Sequence, residues 1–194
     1  NNGDIYKGIF VDDKYTIGIY TYANGDVYEG EFKDGLRSGK GIFTTAIGDK
    51  YEGYFRINRK AGKGIHTYTN GDIFFQNFEA DQVDGQGIFI THSGDRYVGS
   101  FRALYKEGVG IYTYANGDVY EGEFKGGLRS GKGKITFLNG STYEGMWANN
   151  LMNGEGIFFK INGEKFIHQY KNGKLVIEKK INWYCVLNNF FSKC

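Results

Sequence analysis

Short stretches of alternating side chains recur along the chain. Tyr28, Gly30 and Phe32 take every second position with Glu29 and Glu31 between them. A period of two with this aromatic content predicts a β-strand. A second apolar run, Gly41-Ile42-Phe43-Thr44-Thr45, predicts a partner strand. Between such units stands Asn-Gly, at Asn24-Gly25, Asn70-Gly71, Asn116-Gly117, Asn139-Gly140 and Asn162-Gly163. This pair suits the two positive φ values of a two-residue type I′ hairpin turn. With such a turn, Thr21 faces Tyr28 and Ile19 faces Gly30. In the later copy Thr113 faces Tyr120 and Ile111 faces Gly122.

The pattern has a fixed period. Gly-Asp falls at 3, 25, 48, 71, 94 and 117, followed by Gly140-Ser141 and Gly163-Glu164, so eight units follow one another in steps of 22 and then 23 residues. Tyr22 to Lys33 recurs almost unchanged as Tyr114 to Lys125, which points to an internal duplication. Ten residues after each leading glycine stand Asp13, Gly35, Asn58, Asp81, Leu104, Gly127, Asn150 and Gly173. All but Leu104 accept a left-handed backbone readily, so the fifth unit is expected to turn differently there. The whole reads as strand, turn, strand, turn, each strand pairing with its sequence neighbours. One face then carries ring, glycine and ring on each first strand. The glycine leaves space for rings of adjacent units to lie down, with an isoleucine covering the gap. Stacking between repeats stands in for a conventional core.

The unit Gly-Asp-x-Tyr-x-Gly-x-Phe followed by Gly-x-Gly, clearest in the second, third, fifth and sixth copies, resembles the MORN repeat over nearly all of residues 3 to 173. The resemblance implies an elongated, single-layer antiparallel sheet, which the hairpin spacing predicts independently. Two strands per unit at ~4.8 Å give eight units a span of roughly 75 Å. The resemblance further implies a groove that accepts helical or extended segments of other proteins, or a second copy, in cytoskeletal, ciliary or cortical assemblies. Arrays of this family also occur fused to catalytic domains, of which no sequence is visible here.

Two units depart from the pattern. In the fourth, Phe74, Phe75 and Phe78 surround Gln76, which fills the slot held by Gly30, Gly53 and Gly99 elsewhere; the alternatives are a local bend, a contact point or drift at a tolerant position. In the eighth, His168 takes that slot and Leu175-Val176-Ile177 replaces Gly-x-Gly, as in a terminal cap. The array is expected over residues 3–178. Over residues 179–194, Trp183, Leu187, Phe190, Phe191 and Cys194 recur at helical spacing, predicting an amphipathic helix. It either covers the last strand edge or docks on a membrane or a second protein. Cys185 and Cys194 read as reduced thiols, with lipidation as the alternative.

Composition narrows the function. The chain of 194 residues is 18% aromatic, with 31 glycines and no proline, which is too aromatic for a disordered linker. A formal net charge of +2 is small for a nucleic-acid binder. No apolar run is long enough to span a bilayer and the start lacks the features of a secretory signal, so a soluble, cytoplasmic protein is expected, associated with cytoskeleton or membrane. The first residue is not Met, from which an upstream segment is expected. His66, His92 and His168 share no metal-ligand spacing, and zinc, metalloprotease and serine-hydrolase motifs are absent. The Gly-x-Gly runs at Gly39, Gly62 and Gly131 continue into strands and not helices, so they are not phosphate loops. Glu29 and Glu31 read as solvated. No catalytic residue, metal or cofactor is expected.

Two binding surfaces follow. The first is an exposed aromatic trough of Tyr28, Phe32, Tyr51, Phe55, Phe78, Tyr97, Phe101, Tyr120, Phe124, Tyr143 and Trp147, because contiguous exposed apolar surface and aromatic anchors mark protein interfaces. It makes the chain a non-catalytic docking scaffold. The alternative is an anionic phospholipid or phosphoinositide surface bound by a basic rim of Arg37, Lys40, Arg59, Lys60, Lys63, Arg129 and Lys132.

Overall fold

The computed structural model describes residues 3–181. Among them it is all-β, and the chain divides into two compact units that meet in sequence at Leu104 and Tyr105. The first unit holds β1 (Ile5–Val11), β2 (Lys14–Thr21), β3 (Val27–Lys33), β4 (Leu36–Thr44), β5 (Lys50–Arg56), β6 (Arg59–Thr67), β7 (Ile73–Phe78), β8 (Gly85–Ile90) and β9 (Arg96–Arg102). The second holds β10 (Tyr105–Thr113), β11 (Val119–Lys125), β12 (Leu128–Thr136), β13 (Thr142–Ala148), β14 (Leu151–Phe159), β15 (Lys165–Lys171) and β16 (Lys174–Lys180). In each unit the strands lie in chain order, every neighbour antiparallel. The last strand continues through Lys179 and Lys180, where a helix was expected; the rest of that expected helix, with both cysteines, lies outside the described residues.

The register differs from the expected one by one residue. Tyr20 pairs with Tyr28, Gly18 with Gly30 and Thr21 with Val27, and in the second unit Tyr112 pairs with Tyr120 and Gly110 with Gly122. The cause is the loop. Gly25 N–H donates to the Tyr22 carbonyl and Tyr22 N–H to the Asp26 carbonyl, both at 2.9 Å, so three residues and not two lie between the paired ends. Only Gly25 of that loop has a positive φ, 90°, which is the arrangement of a turn closed by a left-handed glycine. The aspartate after it ties neighbouring loops together: Asp26 Oδ1 accepts the Ala46 N–H, Asp49 that of Thr69 and Asp118 that of Leu138, each at 2.8 Å.

Two-residue turns with both φ positive occur at the other strand ends, as at Ile57-Asn58 (51° and 65°). Ala103-Leu104 turns the same way, at 47° and 68°, so the fifth unit does not depart as expected. Strands β4, β6, β12 and β14 then bulge at the first glycine of Gly-x-Gly. The β3–β4 register shifts between Gly30 and Phe32, opposite Gly39 at φ 74°. The Glu31 carboxylate accepts the Lys40 N–H there at 3.0 Å, and Glu123 serves Lys132 in the same way at 2.9 Å.

The register aligns the remaining glycines into a row across the strands: Gly18, Gly30, Gly41, Gly53 and Gly64, then Gln76, then Gly87 and Gly99. In the second unit Gly110, Gly122, Gly133, Gly145 and Gly156 end at His168 and Glu178. On this bare strip the tyrosines lie flat. A Cβ on Gly30 would stand 2.7 Å from the Tyr28 hydroxyl and 2.6 Å from the Gly41 Cα.

Candidate interaction surface

All eleven rings proposed as an exposed trough are buried. Tyr28, Tyr97, Tyr120 and Tyr143 are 0% exposed and Phe32, the most open of the set, 8%. The Tyr28 hydroxyl donates to the Glu31 carbonyl at 2.9 Å. Its ring meets the edges of Phe32 and of Phe55 from the next repeat, both with centroids 5.0 Å away. Tyr51 sits likewise between Phe55 and Phe78 at 5.2 and 5.0 Å, and Tyr120 between Phe124 and Trp147 at 5.2 and 5.0 Å. These rings are the core, because each glycine pair gives a tyrosine a floor and its phenylalanine neighbours give it walls. Burial drives the phenol pKa of Tyr51, Tyr120 and Tyr143 up to about 12, and that of Tyr28 up further.

Several of the basic residues close this layer from outside. Arg37 lies over Phe43 at 4.8 Å and donates from Nη2 to the Asn58 carbonyl at 2.7 Å. Arg129 lies over Trp147 at 4.4 Å and donates to the Asn150 carbonyl at 2.6 Å. Lys60 stands over Tyr51 at 4.8 Å, and burial lowers its pKa. Lys40, Arg59, Lys63 and Lys132 are exposed. The rim therefore splits between residues engaged with the rings and residues facing solvent.

The two intruders in the glycine row differ. Gln76 is 5% exposed, and neither amide atom finds a partner among the described residues. His168 is 4% exposed, stacks on Phe158 at 5.0 Å, and places its ring nitrogens 2.9 Å from Glu178 Oε2 and 3.2 Å from the Tyr170 hydroxyl. It ties β15 to the last strand. His66 stacks on Tyr68 at 4.3 Å with its pKa lowered by burial. Among the described residues no group of three His, Cys, Asp or Glu is placed to hold a metal ion, and no helix is long and apolar enough to cross a membrane.

The opposite face of the first unit carries the open surface. Strand alternation sends Glu29, Ile42 and their partners away from the rings. One cross-strand row runs Ile19, Glu29, Ile42, Glu52, Ile65, Phe75, Ile88 and Val98, each directly opposite the next. With Ile17, Tyr54, Lys40 and Lys63 these residues line a trough of about 1000 Å³ that reaches from β2 to β9. Ile17 is 51% exposed and Tyr54 46%. Lys40 and Lys63 were proposed as part of the basic rim, but the apolar residues of the trough were missed as a site because the expected register set Ile19 on the ring face. The signal was present nonetheless: isoleucine at 19, 42, 65, 88 and 111, at the repeat period. The corresponding face of the second unit has a hollow of about 620 Å³ whose lining includes Glu121, Lys132, Lys134, Glu144 and Glu155.

Residues 17–27, 28–50, 51–73, 97–119, 120–142 and 143–165 match the family model of the MORN repeat, more than half of the chain. The stretch left out between 73 and 97 contains Phe74 and Gln76, where a phenylalanine replaces the flat tyrosine and a side chain enters the glycine row. No curated protein matches the sequence. Among solved structures, the chain is similar to the TCP domain of SAS-4 (dCPAP) of Drosophila melanogaster, solved in complex with a proline-rich motif of Ana2 (dSTIL). The TM-score is 0.54 at 16% identity, covering 85% of this chain and 90% of that one, a likeness of fold. The TCP10 domain of Danio rerio CPAP aligns over 93% of this chain and 96% of its own at 12% identity, with a TM-score of 0.31 that adds nothing to the comparison.

Proposed function

The chain belongs to the MORN repeat family, and from that premise we propose that it is a non-catalytic scaffold that docks a helical or extended segment of a partner protein. The docking surface is the trough of the first unit, and the observation that carries the reading is its apolar lining. Ile17, Ile19 and Tyr54 stay about half open to solvent although the rings behind them are sealed. A protein as partner is further supported by the TCP domain of similar fold, which was solved with a segment of another protein bound. The setting we propose is a cytoplasmic assembly of the cytoskeleton, cilium or cell cortex. The phospholipid alternative has weaker support, since Arg37, Lys60 and Arg129 are held over aromatic rings and only part of the basic set faces solvent.

Photo-crosslinking tests the proposal. A benzophenone amino acid at Ile65, in the trough, is expected to capture a discrete partner in extracts of the native source, whereas the same group at exposed Met146 in the second unit captures none. Equal capture at both positions, or none at Ile65, rejects the trough as the site.

A further inference from the structure

The isoleucines of the trough stand on every second strand. At ~4.8 Å per strand, Ile19, Ile42, Ile65 and Ile88 are therefore spaced by ~9.6 Å in a line across the sheet. A polyproline II helix has three residues per turn and rises ~3.1 Å per residue, so one of its edges repeats every ~9.3 Å. Over the three steps from Ile19 to Ile88 the two repeats diverge by only ~1 Å. An α-helix returns to one face after seven residues, ~10.5 Å, and falls ~3 Å out of step over the same run. An extended strand presents a side chain to one face every ~6.7 Å and fits neither one strand spacing, ~4.8 Å, nor one repeat, ~9.6 Å.

Charge adds direction. Glu29 and Glu52 occupy the slots between Ile19, Ile42 and Ile65, also two strands apart. Farther along, the corresponding slots hold Phe75 and Val98. A ligand whose apolar residues fall on the isoleucines thus meets a carboxylate once per turn at one end of the trough and apolar surface at the other. Half-buried Lys50 pairs with Glu52 at 3.1 Å, a surface contact of small net worth that a ligand cation can displace. Lys40 and Lys63 stand farther along their strands, outside this row, so acid lies in the isoleucine line and base beside it.

We infer that the trough takes a proline-rich segment in the polyproline II conformation, laid across the strands, with a basic residue once per turn over Glu29 and Glu52. This rests on the docking reading of the same trough and names the chemistry of its occupant.

Fluorescence polarisation on the full chain tests it with labelled (Pro-Pro-Arg)4, (Pro-Pro-Glu)4 and an alanine-rich helix carrying Leu at every seventh residue and the same number of Arg. The expected result is binding of (Pro-Pro-Arg)4 about tenfold tighter than of (Pro-Pro-Glu)4, with the preference reversed in the double variant Glu29→Lys, Glu52→Lys. Binding should also fall about tenfold in Ile42→Ser, Ile65→Ser, whose side chains face the open trough, with circular dichroism showing both variants folded. Three results overturn the inference: (Pro-Pro-Arg)4 held equally by the serine variant, a preference unmoved by charge reversal, or no binding by the unaltered chain. Tighter binding of the helical peptide, lost in the serine variant, also overturns it but leaves docking in the trough standing. Crosslinking from Ile65 judges docking separately in every case.

Discussion

The strands β3 and β4 of the first unit and β11 and β12 of the second are nearly the same structure with different outer faces. In both, a flat tyrosine covers two glycines, an arginine on the second strand holds the next repeat's asparagine, and a glutamate caps the bulge. The arginine contacts of 2.7 and 2.6 Å agree within 0.1 Å, as do the glutamate contacts of 3.0 and 2.9 Å. Yet Ile42 on one is Lys134 on the other, both opposite a glutamate on either side. The first becomes part of an apolar trough and the second part of a charged hollow. The ring face therefore sets the fold, and the free face is at liberty to carry recognition. This division of labour is what substitutions can break.

The largest effect is expected on the shared face. Tyr28→Ala and Tyr120→Ala each remove a sealed ring, and each should cost about 3–5 kcal/mol in urea unfolding, equally in the two units. A clear inequality between them would mean that the two ring faces are not equivalent supports. Next come the glycines beneath. Gly41→Val and Gly133→Val drive a side chain into Tyr28 and Tyr120, and about 1–3 kcal/mol or outright failure to fold is expected, read by the same method.

Alkaline pH probes the same layer without mutation. Tyr51 in one unit and Tyr120 and Tyr143 in the other have pKa values of about 12 against an ordinary 10.0, all raised first by burial. A neutral phenol favoured by the fold adds stability that is complete below the unfolded value and lost as pH climbs through the folded one. The urea midpoint should hold up to about pH 10 and fall between 10 and 12, with these phenols ionising late in tyrosinate absorbance. A midpoint flat through that window would contradict sealed rings.

The smallest effect on stability, and the sharpest test of the contrast, is the exchange of free faces. Ile42→Lys and Lys134→Ile should each shift unfolding by no more than about 0.5 kcal/mol, since neither side chain touches the ring layer. Ile42→Lys should nevertheless weaken partner binding, as measured by titration.

The period, the hairpins and the fit of ring to glycine could all be read from the chain, because each is a local consequence of residue type and spacing. The face proposed to bind could not. Asn24-Gly25 suits a two-residue turn and equally a three-residue loop closed by a left-handed glycine, and only the bond between Tyr22 and Asp26 tells them apart. That one residue reverses which side of the strand faces its neighbours' rings, so Ile19 moved from the covered face to the open one. Leu104 misled because propensity describes an average residue, while Ala103-Leu104 adopts the same two positive φ values as Ile57-Asn58. Gln76 was visible as an exception, and its burial in the glycine row is now the physical feature shared with the stretch that the family pattern leaves out.

The central claim is that the trough of the first unit, and not the ring layer, is the surface that holds a partner. Its most direct test is the partner affinity of the double variant Ile42→Ser, Ile65→Ser, measured beside its thermal unfolding and once a crosslinked partner is in hand. The account predicts an unchanged melting transition and affinity reduced by about tenfold or more. Undiminished affinity in a folded variant would contradict it.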